Sequence, residues 1–403
     1  MKKTHLSPAA WKAVFIGGLC AIAYLAVYVA RDALSAATPQ MTQTGAFTTA
    51  QIGTLSSAFF ITYALGQLIN GYIGDKIKSK YMISFGLLLG SLGYFLLPQL
   101  AGTPTMAYIA YGASGFFLAM IYGPMTKVVA ENAEPIYATR CSVGYTLASL
   151  LGSPIAGLLA ASLVWDWVFR AAGGLMMIMG CVVIVVFTTF EKKGMIRYNR
   201  FQPAEKGVGN IKLLIQRDIV KFTFIAILTG VIRTAVVFWL PTYISNYLGF
   251  APDTAALIFS GASLGISLSA LLAIMLYEAL KRNMDLTILL SFIASAVSFL
   301  LVFLVKQPIV NIICMVLASL AANCASSIMW SRYCPSLFDT GMVSGATGFL
   351  DFCSYMAASA ASMLFANAVS DIGWGPLILI WFGLMAAGVV VSLPWKKRKV
   401  VSV

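Results

Sequence analysis

The sequence predicts an all-α membrane protein, with twelve transmembrane helices in two six-helix pseudo-repeats and both termini cytoplasmic. Three observations predict it. Hydrophobic residues make up 60% of the 403 positions and charged residues only 10%, with a mean hydropathy of +0.87, which excludes an ordinary soluble domain and a disordered chain. The apolar runs are about 20 residues long, the length a helix needs to cross hydrocarbon, and the ten-residue alternating segments of a barrel are absent. Two arginines, Arg31 and Arg233, interrupt apolar runs 202 positions apart, each followed eight residues later by a proline, Pro39 and Pro241.

In chain order, the first six spans are expected near 12–36, 51–73, 81–99, 105–129, 139–163 and 168–190. Ser7-Pro8 ahead of the first reads as an N-cap and first-turn proline, and the first run lacks a cleavable signal pattern. The second six are expected near 219–246, 254–277, 285–305, 308–331, 341–366 and 374–394. The longest polar stretch, 191–217, lies at the midpoint and divides a first half, 1–190, from a second, 218–403.

The net charge of +13 is explained by topology rather than by nucleic acid. Of 27 lysines and arginines, two are the embedded arginines and only Arg170 and Lys306 fall on the outer side; the rest lie at cytoplasmic ends and loops. The Trp395–Lys399 run reads as a topological anchor beside the last span. The seven cysteines show no CxxC or Cys/His spacing, so neither a disulfide framework nor a metal site is expected. The single histidine, His5, lies in the N-terminal tail, and no nucleophile–base constellation is visible, which argues against an enzyme and against a cofactor.

The embedded arginines are the candidate site. Arginine keeps its proton in hydrocarbon, at a cost of about 2.5–3.5 kcal/mol on insertion scales, so each is expected to face a cavity and an anion. Tyr24, Tyr28 and Arg31 fall at i, i+4 and i+7 and share one helical face. Asp351, inside the eleventh span, is expected to face a cavity or partner, with three roles open: neutralising an arginine, carrying a proton, or binding substrate. Asn323, Ser326, Ser327 and Trp330 in the tenth span are polar enough to line a cavity, although small polar residues also serve helix packing.

Two stretches carry a family resemblance. The loop GYIGDKIKSKY, Gly71–Tyr81, is similar to the signature loop of the major facilitator superfamily, a glycine, an aspartate and a basic cluster; Asp75, Lys76 and Lys80 fit, while Lys78 replaces a usual glycine. A gating role follows for Asp75, Lys76 and Lys80, and for Glu278 in the degraded second copy, YEALKRNMD. The parallel six-span halves fit the same superfamily, whose site lies near the bilayer midplane.

Within it, YVARDALSAATP (Tyr28–Pro39) and RTAVVFWLPTY (Arg233–Tyr243) resemble the organophosphate:phosphate antiporters, together with Gly123, Pro124 and Lys127 in the fourth span and Gly345, Gly348 and Phe349 in the eleventh. The resemblance implies that Arg31 and Arg233 grip a phosphate, with Tyr24 and Tyr28 shaping the pocket and Lys127 acting with the gating set. At positions where the glycerol-phosphate type has a lysine and a histidine, this chain has Gln67 and Ala148. The expected function is exchange of a small phosphoester for inorganic phosphate by alternating access, in a monomer embedded in a bacterial inner membrane. A phosphoester sensor and a proton-coupled transporter of carboxylates or other organic anions remain open.

Overall fold

A computed structural model of the chain describes residues 8–74, 77–198, 211–337 and 343–393, and among them every regular element is a helix. Among these described residues, eleven helical stretches are long and apolar enough to cross a membrane. The remaining expected span, the fifth, is built from two shorter helices.

Helix α1, Pro8–Gln43, exceeds the minimum length and runs through Arg31 and Pro39 without a break. Proline removes one backbone donor, the one that would serve the Ser35 carbonyl, yet the helix continues through it, and beside it the hydroxyls of Thr38 and Thr42 bond back to the Leu34 and Thr38 carbonyls at 2.7 and 3.1 Å. Helices α2, Thr49–Gly74, and α3, Ser79–Leu96, follow. The fourth span consists of α4, Pro104–Leu118, and α5, Tyr122–Asn132, separated just before Gly123-Pro124. The fifth divides into α6, Pro135–Leu150, and α7, Gly152–Ser162. At the break Gly152 rests on α1: a Cβ there would collide with the Tyr28 Cβ and lie 2.8 Å from the Tyr28 carbonyl carbon, so only glycine permits this approach. Helix α8, Trp165–Lys192, is the sixth span.

After a short α9, Ile211–Gln216, the seventh span starts as α10, Ile219–Gly230, widens into a π-helical turn over Val231–Val236, resumes as α11, Val237–Thr242, and widens again over Tyr243–Tyr247. The eighth is α12, Pro252–Ser267, with α13, Ser269–Ala279, and the ninth is α14, Met284–Leu304. The tenth comprises α15, Pro308–Ile328, a π turn over Met329–Tyr333, and α16, Cys334–Ser336. Helices α17, Val343–Asp371, and α18, Trp374–Ser392, complete the set.

These elements form two compact units whose membership differs from a division at the midpoint. One comprises Met1–Pro203 with Phe238–Leu264 and Ser359–Ser370. In it α3 packs on α8, α2 on α4, and α1 on α6, α7 and α8. The two segments from the second repeat are held there by hydroxyls. Ser35 donates to the Phe238 carbonyl at 2.6 Å, Ser260 to that of Pro154 at 2.7 Å, and Ser57 and Ser359 meet Oγ to Oγ at 2.8 Å, all buried. The other unit comprises Ala204–Val237, Gly265–Ala358 and Asp371–Val403. In it α14 packs on α15 and α18, and Lys221 of α10 reaches Asp285 at the start of α14 and the Ser392 carbonyl at the end of α18.

Candidate anion-binding site

Each embedded arginine is surrounded within its own unit. The Arg31 guanidinium carbon lies 5.4 Å from the centres of the Tyr28 and Phe60 rings and 5.5 Å from that of Tyr63. Three π faces around one cation stabilise it where water is scarce, and they fix the plane of a fork whose five donors match the oxygens of a phosphate. Tyr28 is in turn set by the neighbouring rings. Its hydroxyl accepts from Tyr24 at 3.4 Å, the two rings pack edge to face at 4.9 Å, and Tyr122 of α5 covers Tyr24 at 5.5 Å. The close approach of Gly152 holds α1 at this level, so the break in the fifth span and the seat of Tyr28 are one feature.

Asp32 follows Arg31 directly. Its Oδ2 accepts a hydrogen bond from the Ser153 hydroxyl at the start of α7, and it feels the field of Arg31. Beyond lies an interior stack: Tyr94 and Tyr111, both fully buried, with ring centres 5.4 Å apart, and Phe59 5.2 Å from Tyr111.

Arg233 stands in the π-helical turn Val231–Val236. Such turns shift the side-chain register of a helix locally and recur at functional positions. One turn earlier, a Cβ on Gly230 would meet the Ser354 carbonyl oxygen at 2.8 Å, so the seventh span lies directly on α17. The guanidinium carbon of Arg233 is consequently 5.5 Å from the centre of the Tyr355 ring. Asp351, one turn before Tyr355, is partly buried and acts electrostatically on Cys334 of α16. Asn323 is buried at 7% exposure. Trp330 donates to Ser326 at 3.1 Å, so those two polar groups are turned on each other along one helix. Gln67 is partly buried and lies seven residues beyond Phe60 on α2.

The expected gating residues separate into distinct environments. Asp75 and Lys76 lie outside the described residues. Lys80 is buried, and its ammonium reaches Glu191 Oε2 at 2.6 Å and Thr188 at 3.3 Å. Lys78 takes the other oxygen, Oε1, at 2.5 Å, a bond that holds its ammonium above the ordinary lysine range. The side chain that departs from the loop pattern thus completes a two-lysine clasp on the end of α8. Tyr198, beyond that end, lies under Lys78 with its ring centre 5.6 Å from the ammonium, and burial raises its phenol. Lys127 acts on Glu131 one turn further along α5. Glu278 is exposed in the last turn of α13, and the chain leaves that helix through Lys281 and Arg282, both left-handed at φ 54° and 60°, a region that favours glycine.

Sequence reasoning missed Phe60, Tyr63, Asp32, Ser153, Tyr355 and Glu191. Phe60 and Tyr63 share a helical face with Gln67, and Tyr355 follows Asp351 by one turn, so those signals were present. No local signal marked Ser153 or Glu191.

A family model described as Major Facilitator Superfamily matches residues 20–362. The chain belongs to this superfamily. As a member it is a multi-pass membrane protein, and its structural neighbours share the fold. It superposes on the D-xylose-proton symporter with a TM-score of 0.72 at 15% identity, covering 95% of this chain and 97% of that one. The nucleoside transporter NupG gives 0.71 at 13% identity, covering 96% and 97%.

Among curated relatives, the facilitator is 23% identical to the glycerol-3-phosphate transporter of Bacillus subtilis over 263 residues, 60% of this chain and 59% of that protein. It is 23% identical to the membrane sensor protein UhpC of Escherichia coli over 399 residues, 89% and 86% of the two chains. A probable hexose phosphate transport protein of Chlamydia muridarum is 21% identical over 165 residues, 40% and 36% of the two. These relatives bear out the resemblance to the organophosphate:phosphate antiporters, and they are transporters and a sensor rather than enzymes.

Proposed function

We propose that the chain is a secondary transporter of the inner membrane that exchanges a small phosphoester, a sugar phosphate or glycerol phosphate, for inorganic phosphate by alternating access, with both termini cytoplasmic. The observation that carries this reading is Arg31, a permanent cation inside a membrane helix, caged by Tyr28, Phe60 and Tyr63. The cage holds the guanidinium in place with its charge intact, and a phosphate with charge near −1.5 to −2 offers that charge a strong counter-ion and paired acceptors. Arg233, over Tyr355, is the second anion-binding group. An anion lowers the cost of closing a cavity on embedded cations, so turnover with cargo is favoured over turnover without it, and exchange follows from the same electrostatics. A ligand drives such a transition only through its differential affinity for the two states.

Proteoliposomes loaded with inorganic phosphate test this. Uptake of labelled glycerol 3-phosphate or glucose 6-phosphate should depend on internal phosphate, and Arg233→Lys should abolish most of it, since the charge remains but the planar fork is lost. Near-normal exchange in that variant rejects the arginine assignment. A sensor is the second reading, favoured by the match to UhpC over 89% of the chain. It predicts phosphoester binding with negligible flux.

A further inference from the structure

Helix α1 and the fifth span run parallel, touching at Gly17 with Cys141 and again at Tyr28 with Gly152. At the first contact the seam is closed: a Cβ on Gly17 would collide with the Cys141 Sγ, and the Cys141 thiol donates to the Ala13 carbonyl at 3.4 Å. Beside it the helices part around a cavity of about 290 Å³, lined by Val14, Gly18 and Ala21 of α1 and by Tyr137, Arg140 and Gly144 of α6. Glycine inside a helix is destabilising relative to alanine, and at Gly17 the close approach of Cys141 accounts for it. At Gly18 and Gly144 an added Cβ would meet nothing within 4 Å among the described residues, so no neighbouring helix requires either glycine.

The cavity selects its occupant by lining, length and charge. Its wall is apolar apart from one tyrosine and one arginine, and an apolar cavity of even about 150 Å³ excludes water and takes up hydrocarbon. On α1 the lining runs from Ala10 to Ala21, about 16 Å by the helical rise, which matches one leaflet, half of the hydrocarbon core, at about 15 Å. Val14 on the rim, with Trp11, Phe15 and Ile22 beside it on α1, is half exposed, as side chains facing hydrocarbon are. Arg140 is exposed, its guanidinium carbon lies 5.7 Å from the centre of the Tyr137 ring, and no carboxylate pairs with it among the described residues.

We propose that this cavity binds one anionic phospholipid of the cytoplasmic leaflet, with an acyl chain lying over Gly18 and Gly144 and the headgroup phosphate paired by Arg140. The leaflet follows from the orientation given above, with both termini cytoplasmic; the site itself is independent of the cargo. Basic groups between membrane helices at the cytoplasmic side recognise anionic headgroups, and the flat fork of arginine gives a phosphate two parallel bonds. The Tyr137 ring beside the guanidinium steadies it at the mouth. A chain seated there fills the open part of the seam and braces α1, the helix that carries Tyr28 and Arg31.

Native mass spectrometry of the purified full chain, titrated with phosphatidylglycerol and separately with phosphatidylethanolamine of the same acyl chains, ranks the affinities. The first phosphatidylglycerol to bind wild type should be held about fivefold more tightly than the first phosphatidylethanolamine, the discrimination that one arginine near a membrane surface supplies. Arg140→Gln should bring the two lipids within about twofold of each other. Gly144→Leu fills the space from α6 and should lose the retained lipid; Gly18→Leu fills it from α1 and repeats the test should the first variant fail to fold, as thermal melts will show. Equal affinities in wild type, a preference that survives Arg140→Gln, or undiminished retention in a folded leucine variant each overturn the proposal. Glycerol 3-phosphate carries the headgroup phosphate without the chains, and at saturation it should leave the lipid in place. Displacement of the lipid by it assigns Arg140 to a soluble anion and also overturns the lipid site.

Discussion

Replacing Arg31 with lysine separates charge from geometry. The ammonium retains the positive charge but loses the flat fork that lies 5.4–5.5 Å from three ring centres and can give two parallel bonds to one phosphate. A hydrogen bond to a charged group contributes about 1.5–3 kcal/mol net, so loss of one of the pair should weaken anion binding about 10- to 150-fold. The cage adds a separate effect. Tyr63→Leu removes one π face, worth about 0.5–2 kcal/mol, and should weaken binding about 2- to 30-fold, while Tyr63→Phe keeps the ring and should cost less. Calorimetric titration with glycerol 3-phosphate reads all three, with thermal melts run alongside to confirm that each variant is folded. If Arg31→Lys binds within about threefold of wild type, the guanidinium is not the group that holds the anion and the argument from the cage is wrong.

Two further predictions concern the frame around the site. Gly152→Val places branched atoms where even a Cβ would collide with that of Tyr28, so α7 must shift away from α1; both the melting temperature and anion affinity should fall, and a fall in neither contradicts the seat described for Tyr28. Glu191→Gln leaves the Lys80 ammonium, only 6% exposed, without its carboxylate and should destabilise the protein by about 1–3 kcal/mol, whereas Lys78→Ala removes a solvent-exposed side chain and should cost clearly less. Denaturation midpoints compare the two, and equal losses would show that burial of Lys80 does not set the cost.

The spans were legible because apolar runs of the right length report directly on the bilayer, and the arginines were legible because a permanent charge is costly in such a run unless it binds something. Their surroundings were less so. Phe60 and Tyr63 are aromatics in an apolar helix, which sequence alone cannot tell from packing residues until Arg31 is seen beside them. Asp32 stood next to the arginine in plain view, but its partner Ser153 is 121 positions away and carries no signal of its own. The break in the fifth span depends on the contact of Gly152 with Tyr28, and the clasp of Lys80 depends on Glu191, 111 positions on. The π turn under Arg233 has no sequence signature, since any apolar helix residues can form it.

The hydroxyl contacts that hold Phe238–Leu264 and Ser359–Ser370 against the first repeat have an energetic corollary. None of the three, through Ser35, Ser260 and the Ser57–Ser359 pair, involves a charge, and each neutral bond contributes about 0.5–1.5 kcal/mol net. A fastening of that kind holds the segments at modest cost, bond by bond, and leaves no buried charge to be matched. A buried ion pair in its place would cost about 3–5 kcal/mol on losing either partner; each serine contact risks far less.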